Sequence, residues 1–541
     1  MATYLMPASV SQLMLSIVVL FAAYGLVKLF QLIASDISSP IRDLPGPPSK
    51  SFLFGNMIEM KAQDGTLEKY IAKYGDTIKY QDMFGVTRLC TVDLKAVNHI
   101  LMHSNDYQKP EPLIYHVQRI FGQGVLLVEG DVHKQQRKIL NPAFGPLQIR
   151  QLTEIFVDKA IELRDVWNSK IQKQSKSDGA ATFDALPWLA RVTLDIVGRA
   201  GFDYDFQALS SEHSKNELHY AVETMYDATT SFDPIPIIRS LVPFLRFLPA
   251  AGDSRLRQAK GAVFRIGRVL LGRSKKNALA HSKTDRDVLS LLTRANMDPN
   301  LPENQRMSDE DVVSQIPTFV FAGHETTTTS TAWTLYALAQ NKDIQSKLRE
   351  ELLSIPTDNP SMDELNGLHY LDNIVRESLR LNPPVPDTLR VAMKDDYLPL
   401  SKTTILGFSN PVNDKSRIVK GQTFNIPIRP INLAESTWGK DAWEFNPDRW
   451  DNLPEAVSSI PGVWGNLMSF LGGPRSCIGY RFALVEMKAL LFTLIRAFEI
   501  DLAVPPENVR GTMGLVRRPM VTSDPVNPNQ LPIVIRPVVR S

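Results

Sequence analysis

The segment FLGGPRSCIG, Phe470–Gly479, carries the reading on which the fold depends. Its cysteine, Cys477, stands in a glycine-rich loop just before a helix that begins near Gly479. A helix N-terminus and the nearby Arg475 both favour negative charge, so the sulfur is expected as a thiolate. Glycines at 472, 473 and 479 let the backbone approach a large flat group closely. A thiolate set in such open backbone suits a haem iron. The only other cysteine, Cys90, lies in an apolar strand and reads as core packing.

Composition narrows the field around this loop. The chain has 541 residues, 43% hydrophobic and 22% charged, which excludes a mainly disordered protein, a collagen and a coiled coil. A formal net charge of +2 gives no reason to expect nucleic acid as partner. Two cysteines exclude a disulfide framework and a cysteine-rich zinc or iron–sulfur site.

Working outward, 77–92 reads as a hairpin turning near Phe84-Gly85. Helical patterns follow at about 148–175, 186–200, 213–230, 255–282, 308–340, 342–354, 363–382 and 479–498. Strand signals fall near 389–393, 397–406, 417–427 and 531–539. The fold class is therefore mainly α with a smaller β portion. The proline-broken apolar stretch Ile235–Pro249 reads equally as a patch touching a bilayer or as a loop packed on the core.

Other constellations carry chemistry. Within Ala322-Gly323-His324-Glu325-Thr326-Thr327, an acid followed by a hydroxyl can relay protons. The competing reading is that the threonines merely bond back to the preceding turn. Glu377 and Arg380 share a helix face at i, i+3, and His133 and Arg137 share one at i, i+4. Other motifs fail. A zinc-protease helix would need His where Thr328 stands, and Leu127 occupies the third glycine position of a dinucleotide fingerprint. No phosphate loop is present, so the chain shows no sign of binding its own nicotinamide or ATP.

Taken together, these segments resemble the cytochrome P450 family. Phe470–Gly479 matches its signature, Phe-x-x-Gly-x-Arg-x-Cys-x-Gly, at every fixed position, and three further segments match in the right order, so the resemblance covers about residues 44–540. It implies a cytochrome P450 fold with haem b, Cys477 as the iron's ligand, and Ala322, Gly323, Phe470 and Gly479 beside the haem. Gly323 would leave room for dioxygen, and Glu325 and Thr326 would be the catalytic pair delivering protons. Arg390, Arg475, His133 and Arg137 would meet the haem propionates; the family often has Trp at the 133 position, and His keeps a ring N–H donor. Glu377, Arg380 and Arg449 (of Phe445–Trp450) would form a buried structural triad behind the cysteine loop. Lys134 and Lys138 would be solvated or face an acidic redox partner. The substrate pocket would draw on the loop about 107–125, the helix residues Phe319 and Phe321, the turn 385–389 and the turn 513–516. These stretches are mostly apolar, which suits a lipophilic substrate.

The N-terminus adds an expected membrane anchor at 1–43, with one transmembrane helix about 10–33 followed by positive charge. Residues 44–541 then form a single haem-thiolate domain, because all the motifs serve one haem. The resemblance, closest to fungal microsomal members, implies a monooxygenase of the endoplasmic reticulum membrane with its catalytic domain in the cytosol. It would use O2, an NADPH-cytochrome P450 reductase and, as a second candidate donor, cytochrome b5, contact membrane lipid, and bind no nucleic acid. Secondary metabolism, such as terpenoid oxidation, is the leading role. Sterol or fatty-acid hydroxylation, reductase-independent peroxide rearrangement and non-enzymatic haem carriage or sensing are the rivals.

Overall fold

The computed structural model describes residues 39–538 apart from 175–178, 211–215, 231–232, 281–285, 402–414 and 513, together with Gln12, Ser16, Val19 and Ala23. The expected anchor helix lies outside the described residues save for those four. Among the described residues, no helix is long and apolar enough to cross a membrane.

The chain divides into two compact units, one made of residues up to His99 with Val391–Asn425, the other of Ile100–Arg390 with Ile426 onward. In the first, strands Thr77–Gln81 and Thr87–Thr91 pair antiparallel, Ile78 opposite Cys90. Phe84 and Gly85 take positive φ at the turn, where the sequence places the hairpin. Thr87–Thr91 continues parallel onto Thr423–Pro427, Cys90 meeting Asn425. Cys90 is fully buried with Met60, Ile78 and Tyr80, an ordinary packing position.

Two strand expectations change here. Residues 417–427 form two strands, because Gly421 turns at φ +89 between Lys415–Ile418 and Thr423–Pro427. The strand expected at 397–406 is Asp396–Pro399, and 402–406 lie outside the described residues.

The second unit is mainly helical. We label α1 Glu111–Phe121, α2 Gly130–Leu140, α3 Pro146–Gln174, α4 Leu186–Phe202, α5 Glu217–Thr230, α6 Asp253–Leu279, α7 Asp309–Gln340, α8 His369–Leu381 and α9 Tyr480–Ala497. A small antiparallel sheet orders Ala181–Asp184, Pro532–Pro537 and Phe498–Leu502. The long helix α7 starts on a capping box between Ser308 and Asp311, with acids at Asp309, Glu310 and Asp311 suiting its positive end. Most of its residues are buried, so it runs through the core, packing on α4, α6 and α9. The helix expected at 363–382 is two, Met362–Gly367 and α8, because Leu368 is extended. Helix α1 replaces an expected loop: Pro112 sits in the first turn, where it is tolerated, and Gly122 closes the helix at φ +83.

Candidate functional site

The cysteine loop is shaped by backbone contacts that only glycine allows. A side chain at Gly472 would strike the Pro461 carbonyl, and one at Gly473 (φ +69) the Leu101 carbonyl at 2.7 Å. At Gly479 a Cβ would meet only the Phe144 ring, at an ordinary 3.8 Å. Phe470 is buried beside Trp464, and its carbonyl accepts the Cys477 N–H at 2.9 Å. Cys477 itself keeps an exposed surface. The protein around it is nonetheless dense enough that burial raises its thiol pKa, opposed by the Gly479 N–H and the charge of Arg137.

Arg137, not its closer sequence neighbour Arg475, is thus the cation acting on the sulfur. Its Nη1 donates to the Ser476 carbonyl at 2.6 Å, and its Nε to Asn141 at 2.8 Å. Arg475 turns away, donating to the Val128 carbonyl at 2.6 Å and pairing with Glu129. His133, also on α2, is buried, and its pKa falls to about 4 through burial and the charges of Lys109 and Arg137. It is therefore a neutral ring at physiological pH.

Arg390 is buried, bonded to Thr388 and the Leu389 carbonyl at 2.7 Å each, and burial lowers its pKa to about 10, as it does for Arg475. Close to both stands Lys109, which sequence reasoning missed. Its Nζ lies 3.3 Å from Glu129, and burial with the repulsion of Arg475 and Arg390 holds its pKa well below the ordinary lysine value. Lys109 and Arg475 therefore share one carboxylate, Glu129, with Arg390 close enough to repel Lys109, a local excess of positive charge. No spacing signal marks Lys109, which precedes a proline in the stretch read as a loop.

On α7 the expected proton pair separates. The Thr326 hydroxyl donates back to the Ala322 carbonyl at 2.6 Å, the local bond that was the competing reading. Glu325 is 1% exposed and turns to Arg518, whose Nε donates to Oε2 at 2.9 Å while Nη2 meets Oε1. Arg518 in turn lies 4.0 Å from the centre of the Tyr226 ring. Burial raises the Glu325 pKa, with Arg518 opposing, and burial lowers that of neighbouring His324 to about 3. A Cβ at Gly323 would meet Val197 of α4 at 2.8 Å, so this glycine is what lets α7 and α4 pack.

The structural triad assembles. Arg380 makes a two-pronged bond to Glu377 at 2.9 and 2.8 Å, and Arg449 reaches the same carboxylate at 2.9 Å. The Trp450 indole and the Asn446 N–H complete its shell at 3.1 and 3.0 Å. Of the expected pocket residues, Val117 and Ile120 are buried on α1, whereas Leu515 is exposed and Met513 lies outside the described residues. Phe321 pairs with Phe121 at 4.4 Å, but Phe319 packs on Phe144 instead. A small cavity beside the Phe121–Phe321 pair is lined by Val222, Met225, Tyr226 and Glu325 as well.

The donor set fits a haem. An accessible sulfur sits in a loop whose glycines pack against neighbouring backbone, and the surplus cations Lys109, Arg390 and Arg475 suit a dianionic group.

Comparison with known proteins agrees. The family model for Cytochrome P450 matches residues 45–522. Cytochrome P450 monooxygenase 205 of Postia placenta is 46% identical over 98% of this chain and 99% of its own length. Cytochrome P450 monooxygenase 128 of the same fungus is 46% identical over 96% of each chain. Cytochrome P450 monooxygenase claO of Ampulloclitocybe clavipes is 34% identical over 86% of this chain and 87% of its own.

Proposed function

The chain belongs to the cytochrome P450 family, and from that premise we propose that it inserts one atom of O2 into a lipophilic small molecule, with Cys477 as the haem ligand. As a cytochrome P450 monooxygenase it is an oxidoreductase whose cofactor is haem held through a cysteine thiolate. When bound, the haem iron supplies the activation of dioxygen. The protein supplies ligation, orientation and protons. Cys477 would ligate the iron. Lys109, Arg137, Arg390 and Arg475 would meet the propionates as cations, and His133 as a neutral N–H donor. Ala322, Gly323, Phe470 and Gly479 would lie beside the haem. Thr326 holds a proton on its hydroxyl, and Glu325 passes protons inward once its pairing with Arg518 loosens.

The observation that carries this reading is the accessible Cys477 sulfur in a glycine-built loop within reach of Arg137's charge. The reduced, carbon-monoxide-bound protein is expected to show the red-shifted Soret band of thiolate ligation, and Cys477→Ser to lose it. Retention of that band in Cys477→Ser overturns the assignment.

The apolar lining of Val117, Ile120, Phe121 and Phe321 supports a lipophilic substrate, and a terpenoid of fungal secondary metabolism is our choice within that class. Electrons come from an NADPH-dependent reductase, with cytochrome b5 as an alternative donor. Exposed Lys134 and Lys138 are the residues we assign to the acidic partner. We place the chain at the endoplasmic reticulum membrane through its N-terminal segment, 44–541 forming one catalytic domain on the cytosolic side. The exposed rings of Phe244 and Phe247, 6.0 Å apart, support a second lipid contact.

A further inference from the structure

About two turns into α9, Glu486 is fully buried, and neither carboxyl oxygen has a hydrogen-bond partner among the described residues. The Thr327 hydroxyl of α7 is near enough to act on the carboxyl without reaching hydrogen-bond geometry. Thr331, one turn along α7, and Thr493, two turns along α9, are also buried with unpartnered hydroxyls. These positions place the polar groups along the α7 and α9 faces that carry Thr327 and Glu486.

An ionised carboxylate buried there would need a cation, because desolvation costs several kcal/mol per ion. The charged groups on α9 and its neighbours are engaged elsewhere. Lys488 pairs with Asp372 and Asn366, Arg496 with Asp358 and the Leu352 carbonyl, and Lys159 of α3 with Glu162. Arg349 donates to the Ile495 and Phe498 carbonyls. On α3, Asp158 and Glu154 act on each other. On α7, Glu325 is held by Arg518, and on α8, Glu377 by Arg380. Burial alone raises the Glu486 pKa far above the carboxylate range, opposed by Thr327.

Buried polar groups in native proteins find partners, and where protein supplies none, internal water does. We propose that Glu486 is a neutral carboxylic acid at the centre of an internal water site between α7 and α9, sharing ordered water with Thr327, Thr331 and Thr493. The neutral acid offers one donor and one acceptor, and each threonine hydroxyl offers both, which gives a water the two to four partners it needs. The site ties the helix leaving the Cys477 loop to the helix carrying Glu325 and Thr326. It depends on neither the substrate nor the assigned proton pair.

The test uses the full haem-loaded chain and two variants, Glu486→Gln, the isostere of the neutral acid, and Glu486→Leu. Infrared difference spectra of wild type against Glu486→Gln at neutral pH are expected to show the carbonyl stretch of a protonated carboxyl. Exchange into oxygen-18 water is expected to shift an internal-water O–H band that Glu486→Leu lacks. Thermal midpoints give an independent reading. The folded-state pKa is raised, so at neutral pH the native carboxyl keeps a proton that the unfolded chain has released, and stability falls as pH rises above the ordinary carboxylate value. Glutamine has no such proton, so the midpoint of Glu486→Gln is expected to gain on wild type as pH increases. A carboxylate band, or a midpoint difference constant with pH, overturns the neutral acid. An unchanged water band in Glu486→Leu overturns the water site. If that variant does not fold, Thr331→Val in its place reads the same band.

Discussion

Three side chains decide the electrostatics of the site, and each is brought to its partner by the fold. Arg518 lies 193 residues from Glu325, yet it takes both carboxylate oxygens. Removing it by Arg518→Leu leaves a buried carboxylate without its cation, a class of change that costs about 3–5 kcal/mol. It also removes the influence that lowers the Glu325 pKa, so that carboxyl titrates at still higher pH. The alkaline-going limb of the turnover profile, if it reports ionised Glu325, is then expected to move to higher pH. An unmoved profile would mean that Glu325 does not carry the proton. Lys109 is the second case. If it meets a propionate, Lys109→Gln lowers haem content per chain, read as the haemochrome absorbance, and weakens retention of haem against an acceptor protein. Wild-type retention would assign Lys109 to Glu129 alone. The third is Arg137, whose influence on Cys477 was invisible in sequence because 340 positions separate them; Arg475 stood nearer in the chain but bonds elsewhere.

At the level of elements, α7 shows how one segment serves two masters. Thr318, Thr326 and Thr334 bond back to its own carbonyls, and Thr328 reaches across to Thr193 at 2.7 Å. Gly323 lets α4 approach, since any side chain would press into Val197. Gly323→Ala is therefore expected to destabilise by about 1–3 kcal/mol, the usual cost of overpacking, and Val197→Ala in the same chain to restore part of it. Additive losses in the double variant, read from denaturant midpoints, would place the strain elsewhere. The Glu377 shell is a second element-level device. It clamps α8 to the segment Asn446–Trp450 through buried bonds, so Arg449→Leu is expected to lower stability by several kcal/mol while sparing the Soret band of the folded fraction. Periodicity found α3 to α7 and α9 because each buries a long apolar face. It missed α1, whose proline in the first turn looked like a loop, and it fused two strands at 417–427 because a turn glycine leaves no trace in alternation.

Over the whole molecule, haem and membrane are the two partners to test. A group bound by the folded chain and not by the unfolded one stabilises it by mass action. Haem-depleted protein is therefore expected to unfold at lower temperature than loaded protein, with the gap shrinking in Lys109→Gln. Deleting residues 1–38 is expected to release the chain from membranes only when salt or detergent also frees the Phe244–Phe247 patch. Release by the deletion alone would leave the patch without a lipid role.

The amino-acid sequence by itself determined the family, the haem, the cysteine that would hold it, and the mainly helical class. Those rest on a contiguous ten-residue loop and on local periodicity, which neighbours along the chain dictate. The tertiary structure decided which cation serves which anion: Arg137 for Cys477, Arg518 for Glu325, Lys109 beside Glu129 and, among the described residues, no cation for Glu486. Charges act through space with a strength set by distance and burial, and both are properties of the packed helices rather than of any stretch of sequence.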